Sequence, residues 1–223
     1  MKFSCLSDIH GRLDITCKPS DFLLISGDIL PYEIQRDSRA SLKWLVEEFM
    51  PWLEYQPAKH KIFIAGNHDF VFESTDDYVI RRTLNLPDTN IHYLNDSSVS
   101  IDGINFYGSP WTKWFWDWAF NLPKFDLDGS HATEHWAKIP DNTHVLLTHG
   151  PPSNIRDWNQ QGQSCGDYEL KQRVLSLPDV VLHVFGHIHE AFGSENINDI
   201  LFYNAAFEHQ TGPVPLVQID NVL

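Results

Sequence analysis

Aspartate and histidine recur in this chain in small groups, each directly behind an apolar run. Asp8 and His10 stand two residues apart, and Asp28 follows Gly27. Asn67, His68 and Asp69 make an unbroken polar triplet after Gly66. His149 precedes Gly150, and His187 and His189 flank Ile188 after Gly186. Brought together, and leaving Asp69 aside, these positions supply two carboxylates, one amide and up to five imidazoles. Oxygen and imidazole ligands without thiolate suit Mn, Fe, Zn or a similar divalent ion. Two ions about 3.5–4 Å apart need a bridging carboxylate, and Asp28 is the natural bridge. Two divalent cations against two aspartates leave about two positive charges when His and Asn are neutral. That surplus attracts hydroxide and a phosphate group. The resulting chemistry is in-line attack by an activated water on a clamped phosphoryl centre.

Taken singly, each group also has an ordinary reading. Asp-x-His can be a polar strand end, and Gly-Asp can be a turn or a helix N-cap. What separates the readings is the elements that carry the groups. Residues 2–7, 22–26, 62–65, 145–148 and 180–185 are short apolar runs, expected as strands, most of them buried. Each ends at one of the polar groups, and open α/β sheets place their sites at such ends. His187 and His189, at i and i+2, would point the same way if the strand continued, and could diverge past Gly186. An amphipathic helix is expected over 42–53, with Pro51 kinking or ending it. Further helices are expected at 76–84, near His131 and His135, and at 169–176. Short strands at 91–94, 97–101 and 104–108, with Asp102-Gly103 as a hairpin turn, suggest a second sheet. Strands at 200–204 and 216–219 close the chain. His131 and His135 are read as surface histidines. His60, His92, His144, His183 and His209 lie outside any motif.

In order and spacing, the set Asp8-x-His10, Gly27-Asp28, Gly66-Asn67-His68-Asp69, His149 and Gly186-His187-x-His189 resembles the calcineurin-like metallophosphoesterases. A closer resemblance is to the MPPED proteins, relatives of the class III cyclic nucleotide phosphodiesterases. It rests on Tyr107-Gly108-Ser109-Pro110-Trp111, Asn121-Leu122-Pro123, Thr148-His149-Gly150-Pro151-Pro152, Arg156-Asp157-Trp158 and the stretch from His183 to Glu190. The resemblance implies a two-sheet β-sandwich flanked by helices, an α/β (α+β) fold, as one metallophosphoesterase domain over 1–223. It implies that Asp8, His10, Asp28 and His189 hold a first metal. Asp28, Asn67, His149 and His187 would hold a second. His68 would be the non-ligand histidine that stabilises or protonates the leaving oxygen, and Asp69 would orient it. Some MPPED members carry glycine at the position of His187; here the histidine is kept. The family's polar stretch after Gly-Asp is replaced by Ile29-Leu30-Pro31-Tyr32, so the rim of the site differs.

The expected cofactor is two divalent ions, manganese first, with Fe, Zn, Co or Ni as alternatives. The aromatic stretch from Trp111 to Trp118 could wall a planar ligand, with Trp111 taken as a substrate contact, or form a dimer patch. The expected reaction is phosphodiester hydrolysis on small nucleotides, cyclic ones among the candidates. Phosphomonoesterase or protein phosphatase activity is the alternative, and a non-catalytic scaffold a third. The formal net charge of −14 over 223 residues repels long polyanions and disfavours a nucleic-acid-coating protein or nuclease. Three cysteines without paired spacing point to reduced thiols and a cytoplasmic chain. No apolar run approaches the ~18 residues a membrane span needs.

Overall fold

In the computed structural model, which describes residues 1–86, 89–124 and 129–219, two sheets pack face to face. The first sheet holds β1 (Lys2–Leu6), β2 (Ser20–Ser26), β3 (Ala58–Ile64), β4 (Ile91–Tyr93) and β11 (Leu216–Gln218), in the order β11-β1-β2-β3-β4. All its neighbours are parallel except β11 on β1. The second holds β5 (Ser97–Ile101), β6 (Ile104–Ser109), β7 (Val145–Thr148), β8 (Leu182–Phe185), β9 (Gly193–Ile197) and β10 (Ile200–Asn204). Its order is β5-β6-β7-β8-β10-β9, with a parallel centre and an antiparallel strand at each edge.

Strand alternation explains why the central runs are apolar throughout. Phe22 and Leu24 of β2 face the second sheet, where Phe106, Val145, Leu147 and Val184 meet them. Leu23 and Ile25 face the opposite way, toward helices. With both faces covered, the run 22–25 has no solvent-facing position to fill with a polar residue. The helical cover of the first sheet comes from α1 (Ser38–Trp44), α2 (Met50–Tyr55), α3 (Phe70–Ser74) and α4 (Asp77–Thr83). That of the second comes from α5 (Ser130–Trp136) and α6 (Tyr168–Ser176), through Ala132, Trp136, Leu170 and Val174. The fold is thus mixed α/β, two sheets flanked by helices.

Several details depart from expectation. Pro51 does not end its helix. A π turn over Leu45–Phe49 joins α1 to α2, and Pro51 sits in the first turn of α2. The wider turn absorbs the proline ring and its missing N–H. Strand β4 pairs in parallel with β3, so it belongs to the first sheet and not to the antiparallel section. The hairpin at Asp102-Gly103 forms as expected, with φ of 52° and 81°, the positive pair a type I′ turn requires. Strand β9, polar and largely exposed, had no apolar signal to announce it. His135 is buried, with Nε2 3.4 Å from Asp96 Oδ1 and 3.3 Å from Ser109 Oγ. The carboxylate gives it a partner, which is why it packs inward instead of lying on the surface.

Candidate metal centre

The polar groups converge at the C-terminal ends of β1, β2, β3, β7 and β8. The ends of β1 and β2 run on side by side beyond the strands: Asp8 N–H donates to Gly27 O, His10 N–H to Asp28 O, and Gly11 N–H to Ile29 O, at 2.9–3.0 Å. The chain then turns sharply. Asp8, His10, Asp28 and His187 all have left-handed φ, at 55°, 42°, 52° and 69°. Such a conformation costs an L-residue about 1–2 kcal/mol. Four of them in one place amount to a large fraction of a domain's net stability of about 5–15 kcal/mol. Strain concentrated this way marks a site whose geometry is held by its surroundings. The turn at His187 also separates the two histidines of β8: His187 faces the His149 ring, with centroids 5.1 Å apart, while His189 reaches Asp8.

Asp28 is the hub. Its Oδ1 accepts the His68 backbone N–H at 2.8 Å. Its Oδ2 faces ring nitrogens of His149 at 3.3 Å, His10 at 3.9 Å and His68 at 4.0 Å. His149 Nδ1 lies 2.8 Å from the Ser26 carbonyl, which can only accept, so that nitrogen carries the proton and Nε2 is aimed at Asp28 and Asn67. Asp8 accepts the His187 backbone N–H at 3.0 Å and meets His189 Nε2 at 3.1 Å. Asp8 and Asp28 are both buried. Asn67 Oδ1 lies 2.9 Å from His149 Nε2. Glycines give these groups their room: a Cβ on Gly66 would come within 2.3 Å of Asp28 Oδ1, and one on Gly186 within 2.1 Å of Asp8 Oδ2.

The electrostatics show a site short of positive charge. Burial opposes ionisation of Asp8 and Asp28, but the His189 contact to Asp8 and the His149 charge beside Asp28 hold both carboxyls below the usual range. Burial likewise opposes the His149 imidazolium, yet Asp28 outweighs it and raises that group to about 9. His189 is raised to about 9 against burial by Asp8 and Glu208. Burial and the neighbouring His149 push His187 down to about 4, so its ring is neutral. The carboxylates thus hold positive charge at two rings, as a cation in their place would. The decisive misfit is His10. It is buried, stacked on Tyr32 at 4.1 Å, and neither ring nitrogen has a hydrogen-bond partner. Leaving a buried polar atom unpaired costs about 1–3 kcal/mol. A cation among Asp8, His10, His189 and Asp28 removes that cost. Asp8, His10 and His189 place ligand atoms within 4.8 Å of one another, as do Asp8, Asp28 and His149. The donor set, nitrogen and oxygen without thiolate, fits hard to borderline divalent ions.

The sequence model for calcineurin-like phosphoesterases matches residues 1–191. The chain belongs to the calcineurin-like phosphoesterase family. Membership supports metal-dependent hydrolysis of phosphate esters. Among relatives, metallophosphoesterase domain-containing protein 1 of Homo sapiens is 35% identical over 225 residues, covering 92% of this chain and 65% of that protein. The Mus musculus protein of the same name matches to the same extent. The chain therefore spans just under two thirds of the length of these curated relatives. One crystal structure superposes with a TM-score of 0.65 at 16% identity, covering 92% of this chain and 90% of its own. Another, from Thermus thermophilus, gives 0.57 at 11% identity, covering 92% and 88%. At those identities the likeness is one of fold.

Two expected site residues are placed differently. Asp69 does not orient His68. Its carboxylate accepts backbone N–H groups of Ile29, Leu30 and Gly66 at 2.8–3.2 Å. The Gly66–Asp69 turn points it under the loop, where it ties the ends of β2 and β3 together. Burial and the nearby Asp28 carboxylate push Asp69 up to about 7. His68 is instead held by Gln35, whose Oε1 lies 2.5 Å from Nδ1, with the Trp118 ring tilted against it at 4.2 Å. Trp111 is no cavity wall. It packs against Phe120 and His135, because the Thr112–Asn121 bridge closes the aromatic loop above it. The wall belongs to Trp114, Phe115 and Trp118, lining a cavity of about 580 Å³ beside Asp28, His68 and His187. Gln35, Tyr32 and Glu208 stand in no motif, and sequence reading had no signal for them.

Proposed function

We propose that this chain is a dinuclear-metal phosphodiesterase acting on small nucleotides, with cyclic nucleotides the natural panel to test. Asp8, His10, Asp28 and His189 would hold one ion, and Asp28, Asn67, His149 and His187 the other. The observation that carries this reading is the unpaired, buried His10 beside a carboxylate ringed by imidazoles. Two divalent ions, manganese first, would supply Lewis acidity for water activation and for neutralising phosphoryl charge. The protein's own part follows from its geometry. Gln35 fixes the Nδ1 proton of His68 and leaves Nε2 toward the cavity; burial disfavours the imidazolium, so Nε2 would first take a second proton, favoured by the Asp28 charge, and then hand that proton to the leaving oxygen. Asn67 and Asp28 hold the His149 ring in one orientation. Trp114, Phe115 and Trp118 exclude water and offer flat faces for a base.

A diester is favoured over a monoester by charge. Among the described residues lining the cavity, Lys113 is the one lysine or arginine, so little is present to neutralise a dianion beyond the proposed ions. Large polyanions are disfavoured by the net charge of −14. Among the described residues, no helix is long and apolar enough to cross a membrane. Free Cys5, Cys17 and Cys165 support a reducing, cytoplasmic setting.

The test compares bis-p-nitrophenyl phosphate with p-nitrophenyl phosphate, using metal-stripped protein given Mn²⁺. Preference for the diester, abolished together with binding of both ions in Asp28→Ala, supports the reading. Preference for the monoester moves the assignment to a phosphatase. Two ions still bound in Asp28→Ala would reject the bridge.

A further inference from the structure

We infer that Glu208 is a positioning residue for His189, holding the ring through Nδ1 so that Nε2 faces Asp8. This rests on the dinuclear reading above, in which His189 is a ligand. Glu208 comes from the loop after β10, far from every motif. Its Oε2 lies 2.5 Å from His189 Nδ1, and its Oε1 accepts the Tyr32 hydroxyl at 2.6 Å. Tyr32 in turn stacks flat on His10. The loop itself is pinned to the start of the chain. Arg12 donates to the carbonyls of Phe207 and Glu208, at 3.0 and 2.6 Å, and Phe207 N–H donates to Ser7 O at 2.8 Å. Residues 7–12, which bear Asp8 and His10, therefore hold the backbone that bears Glu208. A carboxylate on the far nitrogen of a metal-binding histidine fixes its tautomer and raises its basicity. Among the described residues, the ring's other hydrogen-bond partner is Asp8 itself.

The rival reading makes Glu208 an ordinary loop acid attracted to any nearby histidine. His209 Nε2 is 3.6 Å from the same Oε2, but that ring is 62% exposed and touches no other part of the ligand set than His189. The two readings differ in what a glutamine does. Glutamine keeps an oxygen that can accept from Nδ1–H but carries no charge.

Manganese titration by calorimetry on metal-stripped wild type, Glu208→Ala and Glu208→Gln decides between them. Glu208→Ala should weaken one of two sites by about 10–100-fold and leave the other unchanged, while Glu208→Gln restores most of that loss. Unchanged binding in Glu208→Ala overturns the inference. So does equal weakening of both sites, which would mark a structural role, or a glutamine as poor as alanine, which would mark charge alone. Wild type that binds no manganese would sink the dinuclear reading. The positioning contact would then be judged on metal-free, ¹⁵N-histidine-labelled protein. A downfield Nδ1 proton of His189 that vanishes in Glu208→Ala sustains it, and one that persists overturns it.

Discussion

His10 and His68 sit 5.0 Å apart at ring centroids, yet their surroundings assign them different work. His10 has no hydrogen-bond partner for either nitrogen, as expected of a residue kept to bind an ion. His68 has one nitrogen committed to Gln35 and the other left toward the cavity, as a proton donor should. His68→Ala is therefore expected to keep both ions and lower turnover by ~10²–10⁴. An unchanged rate on a substrate with a poor leaving group would remove the role. The raised histidines give a pH prediction. His149 and His189 stand at about 9 in the metal-free fold, above their ordinary 6.5. Their stabilisation is complete below about 6.5 and is lost as pH rises through about 9. The lowered Asp8 and Asp28 contribute above the ordinary carboxyl value and lose their contribution as pH falls below it. Manganese has the opposite need, since it must displace the ring protons. The gap in melting temperature between manganese-loaded and stripped protein should widen from pH 6.5 to 9; a constant gap would contradict the proton exchange. The proposed ligands are legible as candidates because each stands directly after an apolar run. The roles of Asp69 and Trp111 were misread because adjacency in sequence is not adjacency in space. Gln35 and Glu208 were invisible for the same reason: each is a lone polar residue whose partner lies 33 and 19 positions away.

The elements that carry the site are legible to the extent that both their faces are buried. Strands β2, β3, β7 and β8 each carry an apolar stretch near the end, with the candidate site residues just past it. Edge strand β9 has one polar, solvated side and the pattern dissolves. At strand ends, the cost of left-handed residues is offset by the close approach that glycines permit. Gly186→Ala would drive a methyl into Asp8 Oδ2 and Ser7 Oγ, both 2.1 Å away. We expect a stability loss of roughly 1–3 kcal/mol by overpacking and weaker manganese binding. Gly162→Ala, at φ +71° with no atom within 4 Å of the added methyl, carries backbone strain without crowding and serves as the control. Equal manganese affinity in the two variants would deny that the Gly186 cradle sets the position of Asp8.

At the scale of the whole molecule, the two sheets are joined by more than their shared apolar core. Ser26 Oγ of β2 donates to the Val184 carbonyl of β8, and the Ser26 carbonyl receives His149 from the end of β7. The ligands proposed for one ion run from residue 8 to residue 189 and belong to both sheets. On the dinuclear reading, the centre therefore doubles as a cross-link that closes last, after two halves distant along the chain have met. Chelation should then act on the rates asymmetrically. Removing the ions should speed unfolding and leave refolding nearly unchanged, since contacts absent from the transition state change only the unfolding limb. Stopped-flow denaturant jumps with and without EDTA measure both limbs; a slowed refolding limb would place the ions early, as nuclei of folding. A cell short of metal would then hold not merely an idle enzyme but a short-lived one, opening along the seam between its sheets.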